Sequence, residues 1–177
     1  MPIATRRAAH PQESLRVGDR FPVVKGRFLS GRDAELPRAS SGKVALVAMG
    51  FTYKSRIPVE AWADWYRITI DSRTDVTFFE VPMIGGLATL GRWFIDRGMR
   101  SGTPVGLHDR VITVYNGTAD WKTRLDYSAE RKDDAYLIVF DRNGIVRWLH
   151  HGGFEEAWAK DLRTLLTSLA DGRTTAR

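Results

Sequence analysis

Residues 136–149 read YLIVFDRNGIVRWL, two apolar runs joined by the turn sequence Asp141–Gly144. Asn-Gly between two apolar runs is the strongest short-range signal for a β-hairpin, so strands are predicted over 136–140 and 145–149. Downstream, apolar residues recur at helical spacing and predict a helix from Phe154 to Leu169. The predicted buried face of this helix carries Trp158, Leu162, Leu165, Leu166 and Leu169. The chain is therefore expected to end in a β-hairpin followed by a helix.

Upstream of the hairpin, Val44–Met49 is a continuous apolar run. Such a run is typical of a strand buried on both faces, as in a parallel sheet. Pro58 opens a segment whose aromatic residues have helical spacing. This segment predicts a helix, because proline suits the first helical turn. Val76–Val81 predicts a second buried strand, which ends at Pro82.

The middle of the chain continues this alternation of helices and strands. A helix is predicted over Leu87–Met99, a strand over Val111–Tyr115 and a short helix over Ala119–Tyr127. The whole order predicts an α/β fold, in which a mixed sheet has helices on both faces.

One domain is expected over residues 13–170, between a flexible N-terminal tail at 1–12 and a C-terminal tail at 171–177. The chain has 27 Lys and Arg against 21 Asp and Glu, a formal charge of +6. Because the charge is spread along the chain, it permits a nucleic-acid or anionic-membrane partner but indicates neither. The longest apolar stretch, Val44–Phe51, is too short to cross a bilayer, and residues 1–12 lack a secretory pattern. The mitochondrial matrix and the bacterial cytoplasm are the compartments most compatible with these features.

The chain contains no cysteine. This excludes disulfides, thiolate nucleophiles and cysteine metal ligands. No glycine-rich nucleotide motif is present, so no cofactor is expected. His150 and His151 are neighbours without a further ligand at suitable spacing, so no metal site is expected either.

Three segments in the first part of the chain match a known pattern. Val17–Pro22 resembles the opening of peroxiredoxin-like domains, and Gly42–Val47 resembles their first core strand. Gly50–Thr52 resembles the Gly-Phe-Thr that precedes the active-site cysteines of copper chaperones. These segments resemble the thioredoxin-like superfamily, whose peroxiredoxin, TlpA-type and copper-chaperone members share one fold. The resemblance implies a thioredoxin-like mixed sheet with a C-terminal β-hairpin and helix.

The same resemblance locates a redox site that this chain lacks. Lys54 and Pro58 stand where the two cysteines would be, and Ala135 stands where the cis-proline would be. Thiol oxidoreductase and peroxiredoxin activities are excluded, because both need a thiolate.

A narrower resemblance concerns the second half of the chain. Gly98–Pro104, His108–Arg110 and Asp141–Trp148 resemble mitochondrial ATP-synthase assembly factors of the "factor ten" type. These thioredoxin-related proteins are implicated in assembling the membrane sector of the enzyme. The resemblance implies a protein partner, with a membrane subunit as the candidate.

The loop after the first core strand carries Tyr53, Lys54 and Arg56. Open α/β sheets bind ligands at this edge, so the loop is a candidate contact for an anion or an acidic peptide. The alternative is a solvated basic loop.

The segment Leu87–Arg100 has an apolar side and carries Trp93, Arg97 and Arg100. It is either a core helix with a solvated basic face or a helix that binds a partner or a membrane surface. An exposed Trp93 would favour the second interpretation.

His108-Asp109-Arg110 combines an imidazole, a carboxylate and a guanidinium, a combination that suits a general base. Adjacent residues on an extended segment point to opposite faces, however, so a structural role or a place in a partner surface is the alternative.

Two functions remain open from the sequence. The first is a redox-inactive binding module or assembly chaperone. The second is a cysteine-independent hydrolase or transferase that uses His108 or His150. A deep pocket where His108 meets a second titratable residue favours the enzyme, whereas a surface with exposed aromatic residues favours the binding module.

Overall fold

The computed structural model describes residues 13–85 and 98–173. The predicted tail at 1–12, most of the predicted helix with Trp93 and Arg97, and residues 174–177 lie outside the described residues. Within the described residues, no helix is long and apolar enough to cross a membrane.

The secondary structure follows the predicted alternation. The strands, in chain order, are β1 (Val24–Phe28), β2 (Asp33–Leu36), β3 (Val44–Gly50), β4 (Val76–Pro82), β5 (Ile112–Thr113), β6 (Ala135–Phe140) and β7 (Val146–Gly152). The helices are α1 (Arg56–Thr69), α2 (Thr118–Arg124) and α3 (Glu156–Ala170), and residues 98–102 are also helical.

The central sheet has the strand order β4-β3-β6-β7. Strand β3 runs parallel to β4 and antiparallel to β6, and β6 runs antiparallel to β7. Every residue of β3 up to Met49 is buried, as expected for a strand with neighbours on both sides and a layer on each face.

A second, smaller sheet has the order β2-β1-β5. Isolated bridges from Val111 to Glu80 and from Val114 to Met83 attach the segment around β5 to β4. The strand predicted over Val111–Tyr115 is therefore shorter than expected, because only Ile112 and Thr113 pair with β1. The sequence patterns did not predict the β1–β2 hairpin, whose strands are short and interrupted by charged residues.

The two faces of the central sheet carry separate apolar cores. On one face, Leu46 packs with Trp62 of α1 and Leu162 of α3. On the other face, Val47 packs with Trp121 of α2 and with the β1–β2 hairpin. Helices therefore lie on both faces of a mixed sheet, which confirms the predicted fold class.

Two predictions about the end of the chain need correction. His150 and His151 lie within β7 rather than after it, because β6 continues to pair as far as Ala135. Trp158 is 41% exposed and not part of the buried face of α3. Its ring lies 4.6 Å from the ring of His150, at the margin of the helix–sheet contact.

The predicted β6–β7 turn is organised by the carboxylate of Asp141. Its Oδ1 accepts the backbone N–H groups of Asn143 (2.9 Å) and Ile145 (3.0 Å), and its Oδ2 accepts Arg147 Nε (2.7 Å). Burial acts to raise the pKa of Asp141, but these three hydrogen bonds outweigh it and hold the pKa below its usual value.

Asp141→Asn is therefore expected to lower the free energy of unfolding by about 1.5 kcal/mol at pH 7. A lowered pKa gives stability that is present above the unfolded pKa and lost as the pH falls through the folded pKa. The difference in the free energy of unfolding between Asp141→Asn and wild type should therefore become smaller below about pH 4. Urea unfolding at pH 7, 5 and 3 measures this, with the exposed Asp161→Asn as control. An equal difference at all three values would contradict the assigned role of the carboxylate.

Candidate functional site

The loop between β3 and α1 lies at the carboxyl end of the central strand. Thr52 and Ser55 close it reciprocally: the Thr52 N–H donates to Ser55 Oγ and the Ser55 N–H donates to Thr52 Oγ1, each at 3.1 Å. Ser55 Oγ also donates to the Thr52 carbonyl at 2.6 Å. Ser55 is buried, and a β-carbon at Gly50 would lie 2.5 Å from its Oγ. The turn is therefore tightly packed and needs glycine at position 50.

A second loop meets this turn at the same end of the sheet. Thr52 Oγ1 donates to Asp133 Oδ1 at 2.6 Å, just before β6 begins. Because Met49 pairs with Tyr136, the next residues along these antiparallel strands, Gly50 and Ala135, are also close. Ala135, which stands where the cis-proline of a thioredoxin-like redox site would be, follows a trans peptide bond. The one cis peptide bond in the described part of the chain is Leu36–Pro37.

The rim of this loop presents an aromatic ring to solvent. Tyr53 is 80% exposed, and the Arg56 guanidinium lies 5.1 Å from its ring centroid. Arg56 Nε also lies 3.5 Å from a carboxylate oxygen of Glu60, one helical turn along α1. Lys54 is exposed. Tyr53, Lys54 and Arg56 thus lie on one exposed surface of the loop and the start of α1.

A cavity of about 660 Å³ opens beside the loop. It is bounded by the loop, the first turns of α1, the end of β4 and residues 98–103. Most of its wall is apolar, with side chains from Phe51, Val59, Pro82, Met83, Ile84 and Met99. We call it the loop cavity.

Glu80 of β4 places a carboxylate in the mostly apolar wall of the loop cavity. Its backbone pairs with that of Ala48, so its side chain lies on the same face of the sheet as α1. The carboxylate makes no hydrogen bond or ion pair with any other described residue. Burial, together with the nearby negative charge of Glu60, raises its pKa to about 7.

No protein-family model and no curated protein sequence matches the chain. Solved structures do match. A putative protein disulfide isomerase from Bacteroides thetaiotaomicron aligns over 89% of this chain and 91% of its own, with a TM-score of 0.56 and 14% identity. The thioredoxin domain of a thiol-disulfide oxidoreductase from Bacteroides vulgatus aligns over 86% and 99%, with a TM-score of 0.56 and 18% identity.

A mitochondrial 1-Cys peroxiredoxin from yeast aligns over 89% of this chain and 79% of its own, with a TM-score of 0.57 and 12% identity. The chain has a thioredoxin-like fold. At these identities the similarity shows the fold alone, so the narrower resemblance to assembly factors stays a prediction. In this thioredoxin-like chain, Lys54 and Pro58 lie at the loop and first turn of α1, and Ala135 lies at the start of β6.

The predicted site residues further along the chain contact other parts of the fold. Arg100 Nε donates to the Leu29 carbonyl at 2.7 Å, and Asp109 pairs with Arg32 at 2.8 Å and with the Ser30 hydroxyl. Arg110 lies 2.6 Å from Asp71. These contacts attach residues 98–110 to the β1–β2 hairpin and to the end of α1.

His108 is buried, and its Nε2–H faces the carbonyl oxygens of Thr103 (2.9 Å) and Arg100 (3.2 Å). Carbonyl oxygens only accept hydrogen bonds, so the ring closes the end of the helical residues 98–102. The structure therefore does not bring His108, Asp109 and Arg110 together in one site.

The histidines of β7 belong to two different networks. His150 lies between the rings of Trp148 (5.3 Å) and Trp158 (4.6 Å), and burial, followed by the charge of His151, lowers its pKa. His151 Nδ1 donates to Asp134 at 2.8 Å, and its Nε2 accepts from Arg131 at 2.9 Å. Both nitrogens of His151 are thus engaged. Within residues 13–85 and 98–173, no three His, Asp or Glu side chains form a metal site.

A broader groove of about 1090 Å³ runs between the β1–β2 hairpin and β4. Its charged side chains largely pair with one another: Lys25 with Glu35 (3.7 Å), Arg27 with Asp33 (3.8 Å) and Arg32 with Asp109 (2.8 Å). Because these charges are already neutralised locally, this groove is a weaker candidate than the loop cavity.

The sequence patterns did not indicate Glu80 or the Thr52–Ser55 turn. Glu80 is the single charged residue in the apolar run Val76–Val81. A charged residue within an otherwise apolar strand is unusual, and this signal could have identified Glu80, which the structure places half-buried.

Proposed function

We propose that this thioredoxin-like protein is a redox-inactive binding module that holds a segment of a partner protein at the loop cavity. The observation that carries the proposal is the exposed Tyr53 at the mouth of a mostly apolar cavity. Exposed aromatic rings beside an apolar pocket are typical of the centre of protein interfaces.

The position of the cavity supports the same proposal. It lies at the carboxyl end of β3, where open α/β sheets bind ligands. The chain has no cysteine, so this edge lacks the thiolate on which thioredoxin chemistry depends. The loop instead offers shape, apolar surface and charge.

The partner that we propose is a membrane subunit of ATP synthase. This narrower proposal depends on the resemblance of Gly98–Pro104, His108–Arg110 and Asp141–Trp148 to assembly factors. No structural observation favours the hydrolase or transferase alternative, because His108 hydrogen-bonds to backbone carbonyls and His150 lies between indole rings.

Affinity capture from the native organism tests both the proposed binding module and the proposed ATP-synthase partner. Three baits are compared: wild type, Tyr53→Ala at the cavity rim, and Ile68→Ala as a matched control. Ile68 is 87% exposed on α1, the helix that follows the loop, but lies outside the cavity. Loss of the Tyr53 ring is expected to reduce capture of the partner by about tenfold, whereas Ile68→Ala leaves it unchanged.

Mass spectrometry then separates the outcomes. ATP-synthase membrane subunits captured through Tyr53 support the narrower proposal. Their reproducible absence, with another protein captured through Tyr53, contradicts the assembly role and keeps the binding module. The same proteins at the same amounts on wild type and Tyr53→Ala would overturn the binding site itself.

A further inference from the structure

The charges on the α1 side of the loop cavity do not balance. Helix α1 carries the carboxylates of Glu60 and Asp64 and the guanidinium groups of Arg56 and Arg67. Arg56 pairs with Glu60, and Arg67 pairs with Asp64. Each cation of this helix face is therefore held by a carboxylate of the same helix, and Glu80 has no counter-ion among residues 13–85 and 98–173.

We propose that the loop cavity takes the basic side chain, lysine or arginine, of the bound partner segment, with Glu80 as its counter-ion. The inference depends on the proposed function, because it names the residue by which the partner is anchored at that site. The cavity volume of about 660 Å³ leaves room for such a side chain.

The lining of the cavity fits the two ends of a basic side chain. Phe51, Val59 and Met83 offer apolar contact to the methylene stem. Glu80 lies in the wall as the acceptor for the charged end. Among the described lining residues, the charged ones are Glu60, Glu80 and the rim residue Arg56.

Electrostatics favour a cation over the other ligand classes. Glu80 is half-buried and has no counter-ion among the described residues, which is unfavourable for a carboxylate, and a cation of the partner would relieve that cost. A neutral apolar group would leave Glu80 unpaired, and an anion would meet two like charges. The raised pKa of Glu80 has the same origin: burial first, then the charge of Glu60, with Asp64 adding to the effect and Arg67 opposing it.

A matched set of small probes tests the charge preference directly. n-Pentylamine, 1-pentanol and pentanoate have the same carbon chain and differ in the charge of the head group. Binding to wild type, Glu80→Gln and the surface control Glu35→Gln is followed by NMR amide shifts at pH 8. Glu35 lies on β2, outside the loop cavity.

The amine is expected to bind wild type and Glu35→Gln at least about tenfold more tightly than the alcohol or the acid, with shifts in residues 50–60 and 80–85. In Glu80→Gln this preference should fall to about twofold or less. For wild type, amine affinity should also fall about tenfold between pH 8 and pH 6, because only the ionised carboxylate binds the cation.

Three results would overturn the inference: equal binding of amine and alcohol to wild type, an amine preference that survives Glu80→Gln, or no shift at the cavity with any probe. None of them overturns the binding module, which is judged by the Tyr53-dependent capture of a partner. Conversely, capture that does not depend on Tyr53 contradicts the proposed function whatever the probes show.

Discussion

Gly26→Ala is expected to lower the free energy of unfolding by about 3 kcal/mol. A β-carbon at Gly26 would lie 2.5 Å from the Thr113 carbonyl oxygen, 2.7 Å from Ile112 Cγ2 and 3.0 Å from Val114 Cγ2. The nearest contact is a backbone atom, so a side-chain rotation cannot relieve it. Strands β1 and β5 would have to move apart. The contact between the two sheets would be weakened as a result.

Urea unfolding measures this difference, and Gly106→Ala is the control. Nothing lies within 4 Å of a β-carbon built at Gly106, so that variant should be as stable as wild type. If Gly26→Ala and Gly106→Ala unfold at the same urea concentration, the close approach of β1 to β5 is wrong.

Glu80→Gln is expected to become more stable than wild type as the pH rises, by about 2 kcal/mol between pH 5 and pH 8. The pKa of Glu80 is raised to about 7 by burial and by the charge of Glu60, against an ordinary value of 4.5. The folded protein therefore binds more protons than the unfolded chain over this range, and wild type loses stability as the pH rises through the folded pKa. The neutral amide of glutamine removes that dependence.

Stability curves of wild type, Glu80→Gln and the control Glu35→Gln, whose carboxylate pairs with Lys25, at pH 5, 6, 7 and 8 check this expectation. The free energy of unfolding of wild type and of Glu35→Gln should fall by the same amount as the pH rises. That of Glu80→Gln should change less. Parallel curves for wild type and Glu80→Gln would show that the fold does not raise the pKa of this carboxylate.

The parts of the fold that the sequence predicts well are those where local pattern and burial agree. Strand β3 is a continuous apolar run, and it became the buried central strand. The β6–β7 hairpin has an Asn-Gly turn, and Gly144 there has a φ of +74°. In both cases a few residues that are neighbours in the sequence are enough to predict the element.

The parts that were missed depend on contacts between distant residues. Strand β1 contains Lys25 and Arg27, and it is a strand because β2 and β5 pair with it on either side. His108 looked like a possible general base, yet its partners are two carbonyl groups of a preceding helical turn. The loop cavity joins described residues from four separated segments, so spacing along the chain could not reveal it.

The Thr52–Ser55 turn is closed by hydrogen bonds, and this determines how the turn responds to the redox potential around it. A turn closed by a disulfide opens or closes with the redox potential of its compartment. Hydroxyl and amide groups undergo no such exchange, so this turn keeps one shape under oxidising and reducing conditions alike. A surface with a constant shape suits recognition, because the partner meets the same contour in either environment.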